Sequence, residues 1–170
     1  YPWDGDILIR VKRCPTKQAN LLVRVPGWVR NRPVPSTLYA YSDTLRPQYT
    51  VCRNGKPVTA DLEQTKGYVA VKKIKKGDVV SIHFDMPVRT VTAHTKVIAD
   101  RGRVAVERGP LVYCAEAADN QGEPVLRSVM NRQPQFSLVD NYTIANTETQ
   151  GAQPFQVKAL RTQAQVLTEN

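Results

Sequence analysis

Over the first 115 residues, apolar and polar side chains alternate at every second position in short runs. That is the period of a strand with one face buried and the other in water. Ile7, Ile9 and Val11 alternate with Leu8, Arg10 and Lys12, and Leu21, Val23 and Val25 alternate with Leu22 and Arg24 before Pro26-Gly27 stops the run next to Trp28. Tyr49, Val51 and Arg53 lead into Asn54-Gly55, a pair that tolerates positive φ at both positions, so the spacing predicts a hairpin running on to Val58. Gly67 to Ile74 reads as a further strand. Gly77-Asp78 then turns the chain into Val80, Ile82, Phe84 and Met86, whose alternate partners are Val79, Ser81, His83 and Asp85. This is the clearest half-buried strand in the sequence, and Pro87 ends it.

Thr90 to Ile98 is rich in β-branched residues, which favour extended backbone. Asp100 to Arg103 predicts a turn into Val104 to Val106, and Gly109-Pro110 separates that run from Leu111 to Cys114. No helical stripe of useful length occurs before residue 115. Strands roughly ten residues apart, divided by Gly, Pro and Asn-Gly, predict an all-β chain built as an antiparallel β-sandwich or jelly roll. Residues 1–118 form that sandwich in this reading, with a soft boundary near 115 to 122. Residues 119–170 form a smaller second β-unit, with polar loops over 120–124 and 146–154 and apolar runs at 125–130, 136–144 and 155–160.

Composition narrows the partners. The formal charge of +9 invites a phosphate-binding reading, but the arginines are spread along the chain, and only Lys72, Lys73, Lys75 and Lys76 form a block. That block precedes Gly77-Asp78, so it reads as a solvated strand end and turn, and no nucleic-acid partner is expected. No apolar run approaches the roughly 20 residues of a membrane helix, and the first residues carry no signal-peptide pattern. No membrane partner is expected either. Cys14, Cys52 and Cys114 fit neither a CxxC metal pattern nor a dense disulfide framework, and one at least must stay unpaired within the chain.

Candidate chemistry is sparse. His83 and His94 lie on consecutive expected strands, with Asp85 or Asp78 as an oxygen donor, but two histidines without a third nitrogen or thiolate make a weak zinc set. Glu107 with Glu116, or Asp4 with Asp6, could be offered as the acid pair of a glycosidase. Turn chemistry around Gly5 accounts for Asp4 and Asp6, and an ion pair with Arg108 or a turn contact accounts for Glu107. No catalytic residue and no metal ligand is therefore assigned. Trp3, Trp28, Tyr39 and Tyr41, with Tyr68 and Tyr113, could make a platform on which sugar rings stack. Aromatic residues near strand ends also serve as core edges and interdomain packing, and that reading carries the greater weight.

Five ordered blocks carry a resemblance. YPWDGD at residues 1 to 6, LLVRVPGW at 21 to 28, RNGKPV at 53 to 58, GYVAVKKIKKGDVVSIHFDMPVR at 67 to 89 and RVAVERGPLVYCAEAADN at 103 to 120 together resemble the region after the catalytic barrel in glycoside hydrolase family 127, whose members are β-L-arabinofuranosidase-like. The resemblance covers about the first 120 residues; the remainder matches loosely. It implies that catalysis, by a zinc-bound cysteine and an acidic partner, belongs to an (α/α)6 barrel outside this sequence. None of the three cysteines here lies in that metal-binding context, so no cofactor is expected in this chain.

The chain, which begins at Tyr1, is on this resemblance expected to be a piece of a longer protein and to lack the last strand of its second β-unit. It is expected to be a non-catalytic accessory sandwich that supports the catalytic barrel of its parent and helps a homodimer form, with Trp3 and Asp4 packing at the junction. The alternative is a carbohydrate-binding module for plant arabinose-containing glycans, using Trp3, Trp28, Tyr39 and Tyr41. A polysaccharide-degrading parent suits the periplasm or the exterior better than the cytoplasm.

Overall fold

The computed structural model describes residues 1–14, 16, 19–59, 65–144 and 155–167. The chain is all-β and folds as two units, Tyr1–Val112 and Tyr113–Asn170. The first unit contains β1 (Asp6–Arg10), β2 (Leu21–Arg24), β3 (Tyr39–Tyr41), β4 (Tyr49–Arg53), β5 (Lys56–Pro57), β6 (Tyr68–Val71), β7 (Val79–Phe84), β8 (Val88–Ala93) and β9 (Val104–Arg108). β10 (Leu111–Tyr113) follows where the units meet in sequence. One sheet runs β1-β7-β4-β5, a second runs β10-β9-β8-β3, and β2 pairs with β6. Every pairing with a determined register is antiparallel.

The alternation read from the sequence decides which side of each strand is dry. Ile7 stands opposite Ile82, which stands opposite Val51, while Ile9 faces Val80 on the same side of the first sheet. From β2 and β6, Val23 pairs with Val69, and Leu21 pairs with Val71. These residues form one core with Val25, Trp28, Val29 and Phe84. Burying a Val or Ile side chain stabilises by roughly 1.5–3 kcal/mol, so this row of branched residues is the main cohesive element of the unit. The intervening positions look outward, and apolar residues stand among them: Leu8 is 55% and Leu22 59% exposed.

Turns fall where the backbone requires them. Asn54 and Gly55 have φ of 49° and 77°, the double positive value of a two-residue hairpin turn, and β4 pairs back with β5 as the spacing predicts. β8 begins directly after Pro87 but ends at Ala93, short of the expected Ile98, which instead opens a 3-10 turn, Ile98–Asp100. Two strands escape the sequence reading, β3 and the last strand of the second unit. Each is three residues long, too short for alternation to register.

The turn before β7 is locked by a buried acid. Asp78 is 2% exposed and accepts hydrogen bonds from Asn54 Nδ2 at 2.9 Å, the Lys75 N–H at 2.8 Å and Arg53 Nη2 at 2.6 Å. The Asn54 bond, followed by the Lys75 N–H and the Arg53 guanidinium, lowers its pKa to about 2 against the opposing effect of burial. A carboxyl whose folded pKa is depressed contributes stability that is complete above its unfolded value of roughly 4 and is lost as pH falls through the folded one. The urea midpoint of the chain should therefore drop between about pH 4 and pH 2. Asp78→Asn should flatten that part of the profile, which circular dichroism at a series of pH values would record.

The second unit holds β11 (Ser128–Met130), β12 (Ser137–Ile144), β13 (Phe155–Arg161) and β14 (Ala164–Val166). β11 pairs with β14 and β12 with β13; the β12 register shifts between Val139 and Tyr142, where Asn141 has φ of 58°. The apolar runs expected over 125–130, 136–144 and 155–160 fall on the 3-10 turn Val125–Arg127 and on β11, β12 and β13. None of the described residues of this unit is buried, and Leu126, Phe155 and Leu167 are 81%, 53% and 59% exposed. The polar loop expected over 146–154 lies outside the described residues.

Candidate functional site

At one edge of the first sheet the chain places an open groove of about 510 Å³. Its walls are the entry to β1 around Asp4 and Asp6, the loop at Leu45, Arg46 and Pro47, and the end of β7 at His83 and Asp85. Gly5 makes this packing feasible for a reason other than the turn expected around it. A Cβ there would lie 1.9 Å from the Phe84 carbonyl oxygen, so only glycine allows the Phe84 N–H to donate to the Gly5 carbonyl at 3.1 Å. That contact sets Asp6 opposite His83.

His83 bridges two carboxylates. Its Nδ1 lies 2.7 Å from Asp6 Oδ1 and its Nε2 3.3 Å from Asp85 Oδ1. The protonated imidazolium, with a donor on each nitrogen, satisfies both. The hydrogen bond to Asp6 is the largest cause of a raised His83 pKa, with the Asp6 charge and Asp85 adding to it and burial opposing it. Asp85 in turn holds the loop, accepting the Gln48 N–H at its Oδ2 and donating its own N–H to the Gln48 carbonyl, both at 2.9 Å. The imidazole is half exposed, and the arrangement works as a polar clasp across a sheet edge.

A second polar cluster lies on the inward face of the β3-β8-β9 sheet. Arg89, 4% exposed, donates from Nε and Nη2 to Asp43, with a shortest distance of 2.6 Å, and from Nη2 to Asn31 Oδ1 at 2.6 Å. Its Cζ sits 3.4 Å from the centre of the Tyr41 ring, an Arg-on-aromatic contact. The Tyr41 hydroxyl donates to Glu107 Oε2 at 2.9 Å. Burial raises the pKa of both partners in that bond, Tyr41 and Glu107. For Asp43 burial acts upward too, but the hydrogen bonds from Arg89 and the Leu45 N–H and the Arg89 charge outweigh it and hold the carboxyl below its ordinary value.

These placements decide most of the candidates. Trp28 is 9% exposed and meets Phe84 edge-on, ring centres 5.7 Å apart, so its faces belong to the core. Tyr41 is covered by Arg89, and the Tyr39 hydroxyl donates to Asp100 Oδ2 at 2.9 Å. Trp3 is partly buried, and its backbone carbonyl accepts Arg108 Nη1 at 2.7 Å. Asp4 is exposed on the groove wall. Tyr39 and Tyr41 share a face of β3 by alternation, while Trp28 is buried in the core against which Tyr41 packs, so Trp28 adds no open stacking surface to them.

Glu107 is engaged by Tyr41 and stands opposite Arg89 in the β8–β9 register, while Arg108, its expected partner, binds the Trp3 carbonyl instead. Alternation puts neighbours 107 and 108 on opposite faces, which is why the adjacent-residue pairing fails. Glu116 falls in the second unit. His83 stands on β7, whereas His94 follows β8 and accepts the Lys96 N–H at its Nδ1, so the two histidines are on different sheets. Among the described residues no three His, Cys, Asp or Glu side chains gather as metal donors, and all three cysteines are free thiols. No helix among the described residues is long and apolar enough to cross a membrane.

Arg89 is the site residue that sequence reading missed. It shares parity with Val91 on a β-branched strand, which assigns it to the inward face, but its partners Asn31 and Asp43 come from loops with no periodic signal.

Fold and clusters together define an antiparallel β-sandwich module whose polar networks brace strands and loops. The chain belongs to glycoside hydrolase family 127: residues 1–86 match the family model described as the beta-L-arabinofuranosidase, GH127 middle domain, and residues 88–166 match the glycoside hydrolase family 127 C-terminal domain. The non-reducing end beta-L-arabinofuranosidase of Bifidobacterium longum subsp. longum is 35% identical over 128 residues, which are 72% of this chain and 17% of that protein. The solved GH127 beta-arabinofuranosidase BT3674 is 42% identical with a TM-score of 0.84, over 100% of this chain and 25% of its own. Ara127N-Se, a GH127 beta-L-arabinofuranosidase from Geobacillus stearothermophilus T6, is 25% identical with a TM-score of 0.61, over 96% of this chain and 26% of its own. The chain thus spans about a quarter or less of the length of these relatives.

Proposed function

We propose that this chain is a non-catalytic support of a β-L-arabinofuranosidase-like family 127 hydrolase, packing against the catalytic barrel of its parent and contributing to a homodimer. The observation that carries the reading is the second unit, whose described residues include no buried side chain while Leu126, Phe155 and Leu167 are open to solvent. A β-unit that leaves such apolar area wet is stabilised by covering it with another surface. The match to the middle and C-terminal domains of much longer relatives supplies the kind of surface, a neighbouring domain of the same protein. Trp3 and Asp4, at the entry to β1, are the proposed junction contacts, and a secreted or periplasmic setting suits such a parent.

On this reading the purified chain leaves β-L-arabinofuranosides intact. Incubation with a chromogenic β-L-arabinofuranoside, followed by release of the aglycone, checks this, and turnover at about 1 s⁻¹ or faster, within the range of ordinary enzymes, would sink it.

A further inference from the structure

We propose that the end of the sandwich formed by the β1 exit, the β4–β5 hairpin and the β6–β7 turn binds a carboxylate-bearing polysaccharide. The fold brings three separate segments together there. The Val11 N–H donates to the Asp78 carbonyl and the Gly77 N–H to the Val11 carbonyl, both at 2.9 Å, which ties the exit of β1 to the turn. Arg53 reaches from the hairpin to the carbonyls of Lys72 and Lys73 at 3.0 and 3.1 Å.

Arg10, Lys12 and Arg13 therefore lie beside the lysines of the turn, with Lys56 on the adjoining hairpin, and all of these side chains are exposed. The turn contributes Lys72, Lys73, Lys75 and Lys76, also exposed. With Arg53, these segments hold nine cations and a single acid, Asp78, which accounts for nearly the whole net charge of +9. Asp78 does not neutralise the exposed groups. It is buried, and its oxygens are taken by Arg53, Asn54 and the Lys75 N–H. In sequence the lysine block reads as an ordinary solvated turn; the hydrogen-bonded neighbours make it part of one positive face.

Such a concentration of like charge repels itself and draws in a polyanion. The side chains narrow the kind. Six of the eight exposed cations are lysines, compact point charges that attract any anionic oxygen, whereas the two-pronged clamping of a single carboxylate or phosphate group favours the arginine fork. The segments 10–14, 53–56 and 72–78 contain no aromatic residue on which a nucleic-acid base could stack. Their branched residues Val11 and Ile74 are partly buried, so the face offers no exposed apolar side chain for insertion into a lipid surface. Point charges spread over three segments suit a polymer with repeated anionic groups, and membership of a glycoside hydrolase family makes a carboxylate-bearing glycan the polymer at hand.

The test is affinity electrophoresis of the whole chain through gels containing polygalacturonate, neutral arabinan, duplex DNA or no polymer, with sedimentation on phosphatidylglycerol vesicles alongside. Polygalacturonate should retard the chain at low salt, and about 0.5 M salt should abolish the effect as the screening length falls to roughly 4 Å. The triple reversal K72E/K75E/K76E should weaken retardation at least about tenfold. K96E/R101E/R103E, which changes net charge equally at exposed positions elsewhere in the first unit, should leave most of it. The neutral set K72Q/K75Q/K76Q provides the same reading if the reversal does not fold. Absence of retardation, equal losses in both triple variants, or tighter binding to DNA or vesicles would each overturn the proposal.

Discussion

Trp28→Ala should lower the stability of the first unit by about 3 to 5 kcal/mol, the range for removing a large aromatic side chain from a packed core. The residue is buried, meets Phe84 edge to face and belongs to the same core as the fully buried Val25, Val69 and Val80. Val69 and Val80 of that core are held by the ladders of β6 and β7, so the core can close only partly over the space left. Domains are commonly stable by only about 5–15 kcal/mol, so the urea midpoint followed by circular dichroism should fall by a large fraction. Trp28→Phe should recover most of the loss. If Trp28 were a sugar-stacking residue, alanine would instead leave the midpoint nearly unchanged and remove glycan binding.

Arg89→Ala should cost about 3 kcal/mol, near the lower end for breaking a buried ion pair because Asp43 is part-exposed. The guanidinium holds Asp43 and Asn31 together and covers the Tyr41 ring, so its loss releases two loops and one strand at once. The Asp43 pKa should rise towards the ordinary carboxylate value, since the Arg89 hydrogen bonds and charge help to hold it down. Carboxyl NMR titration reads the second effect and urea unfolding the first. Removing both charges, as in Arg89→Met with Asp43→Asn, should cost less than the sum of the two single changes, because neither member is then left stranded. A loss below about 1 kcal/mol for Arg89→Ala would show that the cluster is not a brace.

Much of the first unit was legible because a half-buried strand has one dominant requirement, alternation, which β1, β2, β4 and β7 meet. The Asn54-Gly55 turn was legible for a local reason, since its two positive φ values restrict which residues can occupy it. What the sequence did not disclose was pairing across long separations. Asp6 and Asp85 around His83, and Asn31 and Asp43 around Arg89, come from loops and strand ends that only the folded sheet brings within reach. The same limit hid the positive end of the sandwich, whose members are scattered between residues 10 and 76. Gly5 looked like turn chemistry, and its actual constraint, the Phe84 carbonyl, lies 79 residues away.

The aromatic residues show how the two readings of a site diverge. Trp3, Trp28, Tyr39 and Tyr41 share a chemistry that suits sugars, yet burial assigns Trp28 to the core, and hydrogen bonds commit Tyr39 to Asp100 and Tyr41 to Glu107. Their polar tips are satisfied within the protein, which is the ordinary use of tyrosine at a sheet edge.

The central claim, that this chain serves as the support of a family 127 catalytic barrel, is tested most directly by titrating a separately produced barrel of its parent hydrolase with the chain in a calorimeter. The expected result is saturable binding with a negative heat-capacity change, as the apolar side chains around Leu126, Phe155 and Leu167 leave water, together with a higher melting temperature for the barrel. Absence of heat at roughly 100 μM of each partner, with the barrel equally stable alone, would contradict it.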